Sequence, residues 1–217
     1  MNRRRALMGA KKTALKIKDI PTGVLFKFAK TEASYIYLGV INGTAWMLLE
    51  RVLNTAVKMR NNTLCDYENS NIDTYLSTTY YGTFGQKYQN AMKDTTVTFP
   101  ASDGSTVSDK TITRKIFLLT SAQIGNSNVN NVLSTLKKYY NTTSANTARI
   151  AKDANGTNRA WWTCTAVSIS NMKSVGSSGS FGDTPPNTAG GTLYRRPVVS
   201  INKETEVELV DGAYVMV

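Results

Sequence analysis

The sequence contains no histidine. That absence removes the commonest general base, the commonest metal ligand and every Ser-His or Cys-His nucleophile pair. Cysteine occurs only at Cys65 and Cys164, too few for a zinc site of the usual Cys/His kind. One disulfide between them is open; two buried free thiols are the plainer reading. No run approaches the ~18 apolar residues that a membrane span needs. The basic opening, Met1 to Lys18, lacks the apolar stretch and small-residue cleavage site of a signal peptide. The expectation is a protein made without a secretion signal and without a membrane segment.

Acidic side chains are scarce, 15 Asp and Glu against 26 Lys and Arg, for a net charge of +11. The excess is local. Arg3, Arg4, Arg5, Lys11, Lys12, Lys16 and Lys18 place seven cations in the first 18 residues with no acid among them. The remainder holds 19 of the 26 cations and all 15 acids, a net of only +4. Such a block repels itself and stays extended until something neutralises it. Three readings stand: a solvated tail, a contact used in assembly, and a nucleic-acid contact. The last is the weakest, because no aromatic side chains are interleaved to stack on bases.

The apolar pattern divides the rest of the chain. Val24–Ala29, Tyr35–Ile41 and Ala45–Leu49 read as strands, with Asn42-Gly43 as a hairpin turn. A helix starts at Ser70, where Ser70 and Asp73 have capping-box spacing, and a second runs from Gly85 to Lys93. Pro100 to Asp109 reads as a polar surface loop. Lys115–Leu119 is a buried strand, and Thr120 and Gln123 repeat the capping spacing before a helix whose face carries Val129, Val132, Leu133, Leu136 and Tyr140. Ala160–Val167 and Pro197–Ile201 are core strands. A last hairpin turns at Asp211-Gly212. The order of elements is α+β, with a mostly antiparallel sheet, two groups of short helices and long loops. Residues 1–18 form a basic extended arm and 19–217 a single domain with a C-terminal hairpin.

Few residues suggest chemistry. Asp66 and Glu68 flank a helix start and Asp73 lies in its first turn, where acids favour the helix dipole. Asp153-Ala154-Asn155-Gly156 and Asp103-Gly104 read as turns, because a calcium loop needs further ligands that are missing. No cofactor or metal is expected. Trp161 and Trp162 are read as core. The Gly/Ser/Asn/Pro-rich stretch 168–192 is read as a long loop with room for one short strand, the place for recognition if the protein binds a partner. Phe181, Asp183 and Tyr194 are its candidate anchors.

Four stretches, Tyr67–Leu76, Lys115–Thr120, Arg149 through Asn155-Gly156-Thr157 to Trp162, and Arg195–Val199, resemble in order and spacing a recurring domain of unknown function in bacterial and phage proteins. The resemblance implies a C-type-lectin-like fold. It also implies kinship with phage surface proteins and, more distantly, with formylglycine-generating enzymes. One position departs from the pattern: Cys164 stands where that domain usually has an arginine. Either a ligand-binding function has been lost there, or the core is repacked around a small side chain; the second is preferred.

These observations lead to the expectation of a non-enzymatic phage virion structural protein. It would be a capsid decoration or tail-surface component, present in repeated copies beside other virion proteins. The alternative is a receptor- or glycan-binding attachment protein that uses the 168–192 loop on a host surface. A degenerate formylglycine-generating-like oxidase is a third class, disfavoured because no paired cysteine motif is present.

Overall fold

The computed structural model describes residues 14–29, 32–126, 145–187 and 193–217. The expected helix over 129–140 lies outside these residues, as do Arg3, Arg4, Arg5, Lys11 and Lys12.

The main sheet has eight strands in the order β1 (Leu15–Lys16), β14 (Glu206–Val210), β15 (Ala213–Met216), β2 (Leu25–Lys27), β3 (Tyr35–Ile41), β4 (Thr44–Leu49), β13 (Val198–Ile201) and β7 (Ile116–Phe117). Its centre is β3 (Tyr35–Ile41) and β4 (Thr44–Leu49), whose residues are almost all buried. That explains their near-continuous apolar sequence, since a strand covered on both faces shows no alternation. The turn between them is Asn42-Gly43, with φ of 49° and 79°. Both residues tolerate this left-handed backbone, so the tight turn forms cheaply. Leu38 is an extra residue in β3, where the register shifts between Tyr37 and Gly39.

On one side of this pair runs β13 (Val198–Ile201), then β7 (Ile116–Phe117). On the other side lies β2 (Leu25–Lys27), pairing parallel with β15 (Ala213–Met216). β14 (Glu206–Val210) joins β15 through Asp211-Gly212, with φ of 49° and 80°. The C-terminal hairpin therefore forms as its turn chemistry requires.

The last strand of that edge is β1 (Leu15–Lys16), paired with Val207 and Glu206. Ile17 is fully buried, and its N–H donates to Thr205 O at 3.0 Å. Leu15 and Lys16, ahead of the expected boundary at Asp19, thus pair with the main sheet, and Ile17 enters the core. A single apolar residue decides this, because Ile17 fills the core while the flanking lysines stay at the surface.

Ser70 caps α1 (Asn71–Tyr75) as expected, its Oγ accepting from the Asp73 N–H at 3.0 Å. The chain then widens into a π turn, Leu76–Tyr80. There Ser77 and Thr78 hydroxyls donate back to the Asp73 and Thr74 carbonyls at 2.8 and 2.6 Å, competing with the helical ladder. α2 (Gln86–Ala91) follows.

Two stretches read as loops are strands. β5 (Thr95–Ser102) and β6 (Val107–Arg114) form a two-stranded hairpin that takes in most of 100–109. Apart from Val107 its exposed residues are polar, which gives the segment its loop-like composition, while Val97, Phe99 and Ile112 turn inward. Within 168–192, β11 (Met172–Val175) and β12 (Phe181–Thr184) extend β10 (Trp161–Ala166) into a three-stranded sheet. Met172 and Val175 are fully buried, too sparse a pattern to stand out among serines and glycines. A short helix α3 (Ala145–Arg149) and the paired β8 (Ala151–Lys152) and β9 (Asn158–Arg159) precede β10.

The architecture is α+β and mostly antiparallel, dominated by strands. Its core runs from Phe26 and Trp46 through Phe117 to Trp161 and Trp162, all fully buried.

Candidate functional site

The four motif stretches meet around β10 and form scaffold. Trp161 and Trp162 donate their indole N–H groups to the carbonyls of Arg149 and Val57, at 3.0 and 2.9 Å. A buried indole needs such an acceptor. Ser200 N–H donates to Lys115 O at 2.8 Å, stitching β13 to the start of β7. Arg196 is nearly buried and donates to the carbonyls of Leu49 and Glu50 at 3.0 and 3.2 Å. Arg195, facing elsewhere, stacks on the Tyr75 ring at 3.9 Å. Arg195 Nε and Arg196 Nη1 are buried donors without a partner.

Cys164 and Cys65 are both buried and unpaired. Cys164 Sγ lies 3.2 Å from Leu118 O. Burial raises its pKa far above the usual thiol range, so no reactive thiolate forms there at neutral pH. The pKa of Cys65 is pushed up to about 11, again by burial. Cys164 is thus a small side chain that fills core space in β10.

The acids read as helix-dipole partners do more than that. Lys110 reaches both Asp66 and Glu68, at 2.7 and 2.6 Å, and Arg114 pairs with Asp73. Lys110 and Arg114 are four residues apart on β6 and so share one face of that strand. The spacing of the two cations gains its meaning from the strand, whose first residues the polar composition of 100–109 hides. Asp153 and Asp103 are turn residues: Asp153 accepts from Asn155 and Thr157 N–H and pairs with Arg159 at 2.7 Å, and Asp103 accepts from Ser105 and Thr106 N–H. Among the described residues no group of His, Cys, Asp and Glu could hold a metal ion.

The three recognition candidates are not brought together by any direct contact. Phe181 packs under the Arg149 guanidinium at 4.4 Å, and Asp183 pairs with Lys173 on the neighbouring strand. Tyr194 faces Arg159 at 5.2 Å. Each has an internal partner on a different element. Asp183 is the exposed one of the three.

Of the assembly candidates, Lys16 and Lys18 are described. Both reach Glu204, each at 3.0 Å. The two lysines hold the Glu204 carboxyl below the usual carboxylate range. The root of the basic segment is thereby pinned to the edge of the main sheet, beside exposed Glu206 and Glu208 of β14.

One groove lies between the π turn and the β6–β7 junction. It has a volume of about 220 Å³, and Tyr81, Asp94, Arg114 and Lys115 contribute to its wall. The Lys115 ammonium sits over the Tyr81 ring at 5.3 Å.

Among the described residues, no helix is long and apolar enough to cross a membrane. Neither the curated proteins nor the solved structures include a match to this chain. One family model does match, over residues 42–203, and its description is "Domain of unknown function (DUF6273)". The matched span holds β4 to β13 and all four motif stretches, while β1, β2, β3 and the C-terminal hairpin lie outside it. With most of its length inside that match, the chain belongs to the DUF6273 family.

Proposed function

We propose that this protein is a non-enzymatic virion structural component, acting by assembly and adhesion. In this reading a C-type-lectin-like domain is displayed on a phage capsid or tail, and the basic N-terminal segment docks it to a neighbouring virion protein. The observation that carries the proposal is the edge strand β1. Its residues are stitched to β14, and Lys16 and Lys18 are spent on Glu204. The five cations that precede it in sequence, Arg3, Arg4, Arg5, Lys11 and Lys12, are thus attached at one margin of a nearly balanced body.

The fold part of the proposal draws on the resemblance of the four motif stretches and on the pairing of β2 with β15, which brings both ends of the domain into one sheet. A superposition in which β2, β3, β4, β13 and β15 fall outside the sheet common to lectin-like domains would remove it.

The functional test is the composition of purified particles. The proposal expects the chain at fixed stoichiometry, and expects a deletion of residues 1–13 to reduce incorporation while the domain stays folded. Absence from particles, or full incorporation of the deletion variant, overturns it.

A further inference from the structure

A second cavity lies beside the π turn, apart from the sheet edge used above. It has a volume of about 200 Å³ and is walled by Tyr35, Tyr80, Thr83 and Phe84, with Glu32 at its rim. Glu32 is the one charged residue in that lining. A neighbouring cavity of about 330 Å³ shares Glu32 and Ala33 and adds Glu50 and Arg51. Arg51 is held by the Ala154 carbonyl at 3.1 Å.

The wall is aromatic and its polar atoms are incompletely used. Tyr35 and Tyr80 are 2% and 8% exposed, and their hydroxyls meet at 2.8 Å. One phenol donates and the other accepts, so both oxygens keep lone pairs that can accept from a further N–H. Neither hydroxyl makes another hydrogen bond among the described residues. Phe84 meets Tyr80 edge-on at 5.3 Å, which fixes the ring directions. Glu32 forms no ion pair within the described set. Partial burial raises the pKa of its carboxyl above the ordinary value. Burial chiefly raises the pKa of both phenols, and the Glu32 charge adds a smaller part to each. Of the nearby cations, Arg195 stacks on Tyr75 and lines neither cavity, and Arg51 lines the neighbouring cavity but not this one.

We propose that this cavity is a socket for an organic cation: an alkylammonium group, free or at the end of a lysine side chain. Aromatic rings attract such a group through their negative faces. The carboxylate at the rim supplies the counter-charge, and the phenol oxygens accept its N–H bonds. An anion would meet Glu32 with no opposing cation in the lining. A bare metal ion would find walls that are mostly carbon. The site is independent of the assembly proposal.

The test uses the full-length protein and butylammonium chloride, with sodium chloride at equal ionic strength as reference. Tyrosine and phenylalanine ring resonances are followed by NMR. The expected result is a saturable shift with butylammonium alone, at least tenfold weaker in Glu32→Gln and unchanged in Glu208→Gln on distant β14. Glu32 is exposed, so its substitution leaves the fold intact, and unchanged melting checks this. A peptide of residues 1–13 that competes with butylammonium identifies a lysine of a neighbouring chain as the source. A peptide that does not compete leaves a free alkylamine as the source. Equal binding by wild type and Glu32→Gln, or the same shifts with sodium chloride, overturns the proposal.

Discussion

Arg114 grips Asp73 with two parallel hydrogen bonds, Nε to Oδ1 and Nη2 to Oδ2, both 2.8 Å. The Asp73 side chain is 2% exposed and Arg114 23%. The same carboxylate accepts the Asn69 N–H at 2.9 Å. One residue therefore fastens the β5–β6 hairpin to the start of α1. Arg114→Ala leaves a buried carboxylate with its charge partner gone, at a cost of about 2–3 kcal/mol after allowing for the exposure of the arginine. Urea unfolding measures this. A loss below ~0.5 kcal/mol would show the pair to be incidental.

Truncation separates the two parts of the basic segment. Deleting residues 1–13 should leave the unfolding midpoint unchanged, since it keeps every sheet pairing described for this segment, those of Leu15 and Lys16. Deleting 1–18 removes buried Ile17 and the edge strand, and should cost about 2–3 kcal/mol. The Glu204 ion pairs are exposed and add little to that figure. Equal stability of the two truncations would contradict the placement of Ile17 in the core.

High pH should weaken the fold. Burial pushes Tyr37 and Tyr80 up to about 12 and Cys65 up to about 11. Tyr35, Tyr67 and Cys164 are also shifted upward, again chiefly by burial. In the unfolded chain such groups ionise between about 8.5 and 10. Above that range the native state binds more protons than the unfolded state, so stability falls as pH rises. It is whole below about pH 8 and declines by about 1.4 kcal/mol per pH unit for each such group between its unfolded and folded values. A melting temperature that stays flat from pH 8 to 11 would sink this.

Both thiols should be silent in the native state. Cys65 and Cys164 are buried and unpaired, so a thiol reagent at pH 7 should label neither until denaturant is added, and then both. Rapid labelling of folded protein would place one of them at the surface.

Gly179 is a fixed point. Its φ is +81°, and a Cβ there would run into the backbone of Asn146 in α3. Gly179→Ala combines a left-handed backbone with a clash that flexible side chains cannot relieve, and should cost about 2 kcal/mol or more. A melting temperature equal to wild type would show that α3 yields freely.

The central sheet was legible because its residues had only one way to be buried. The apolar runs of β3 and β4 and the turns Asn42-Gly43 and Asp211-Gly212 each imposed their own geometry. Ser70 caps its helix for the same reason, and at a turn Thr120 and Gln123 exchange hydrogen bonds of 2.8 and 3.1 Å. The hairpin β5–β6 and the strands β11 and β12 are hard to read because their few buried apolar residues are interspersed with Ser, Thr, Asp and Gly. A strand read from its polar face looks like a loop. The cavity at Tyr35, Tyr80 and Glu32 joins residues far apart in the chain, and nothing in local spacing announces such a meeting.

The parallel pairing of Phe26 with Tyr214 and Lys27 with Val215 also sets an order of events during synthesis. β3 and β4 can form their hairpin as soon as both leave the ribosome. β2 has β3 on one side only until the C-terminal hairpin arrives, and β1 has no partner before β14. Contacts that close so long a loop form late. Until then the nascent chain carries an unfilled seam at β2 beside a run of cations, which is where a chaperone, or a second copy offering its own β15, would find an opening.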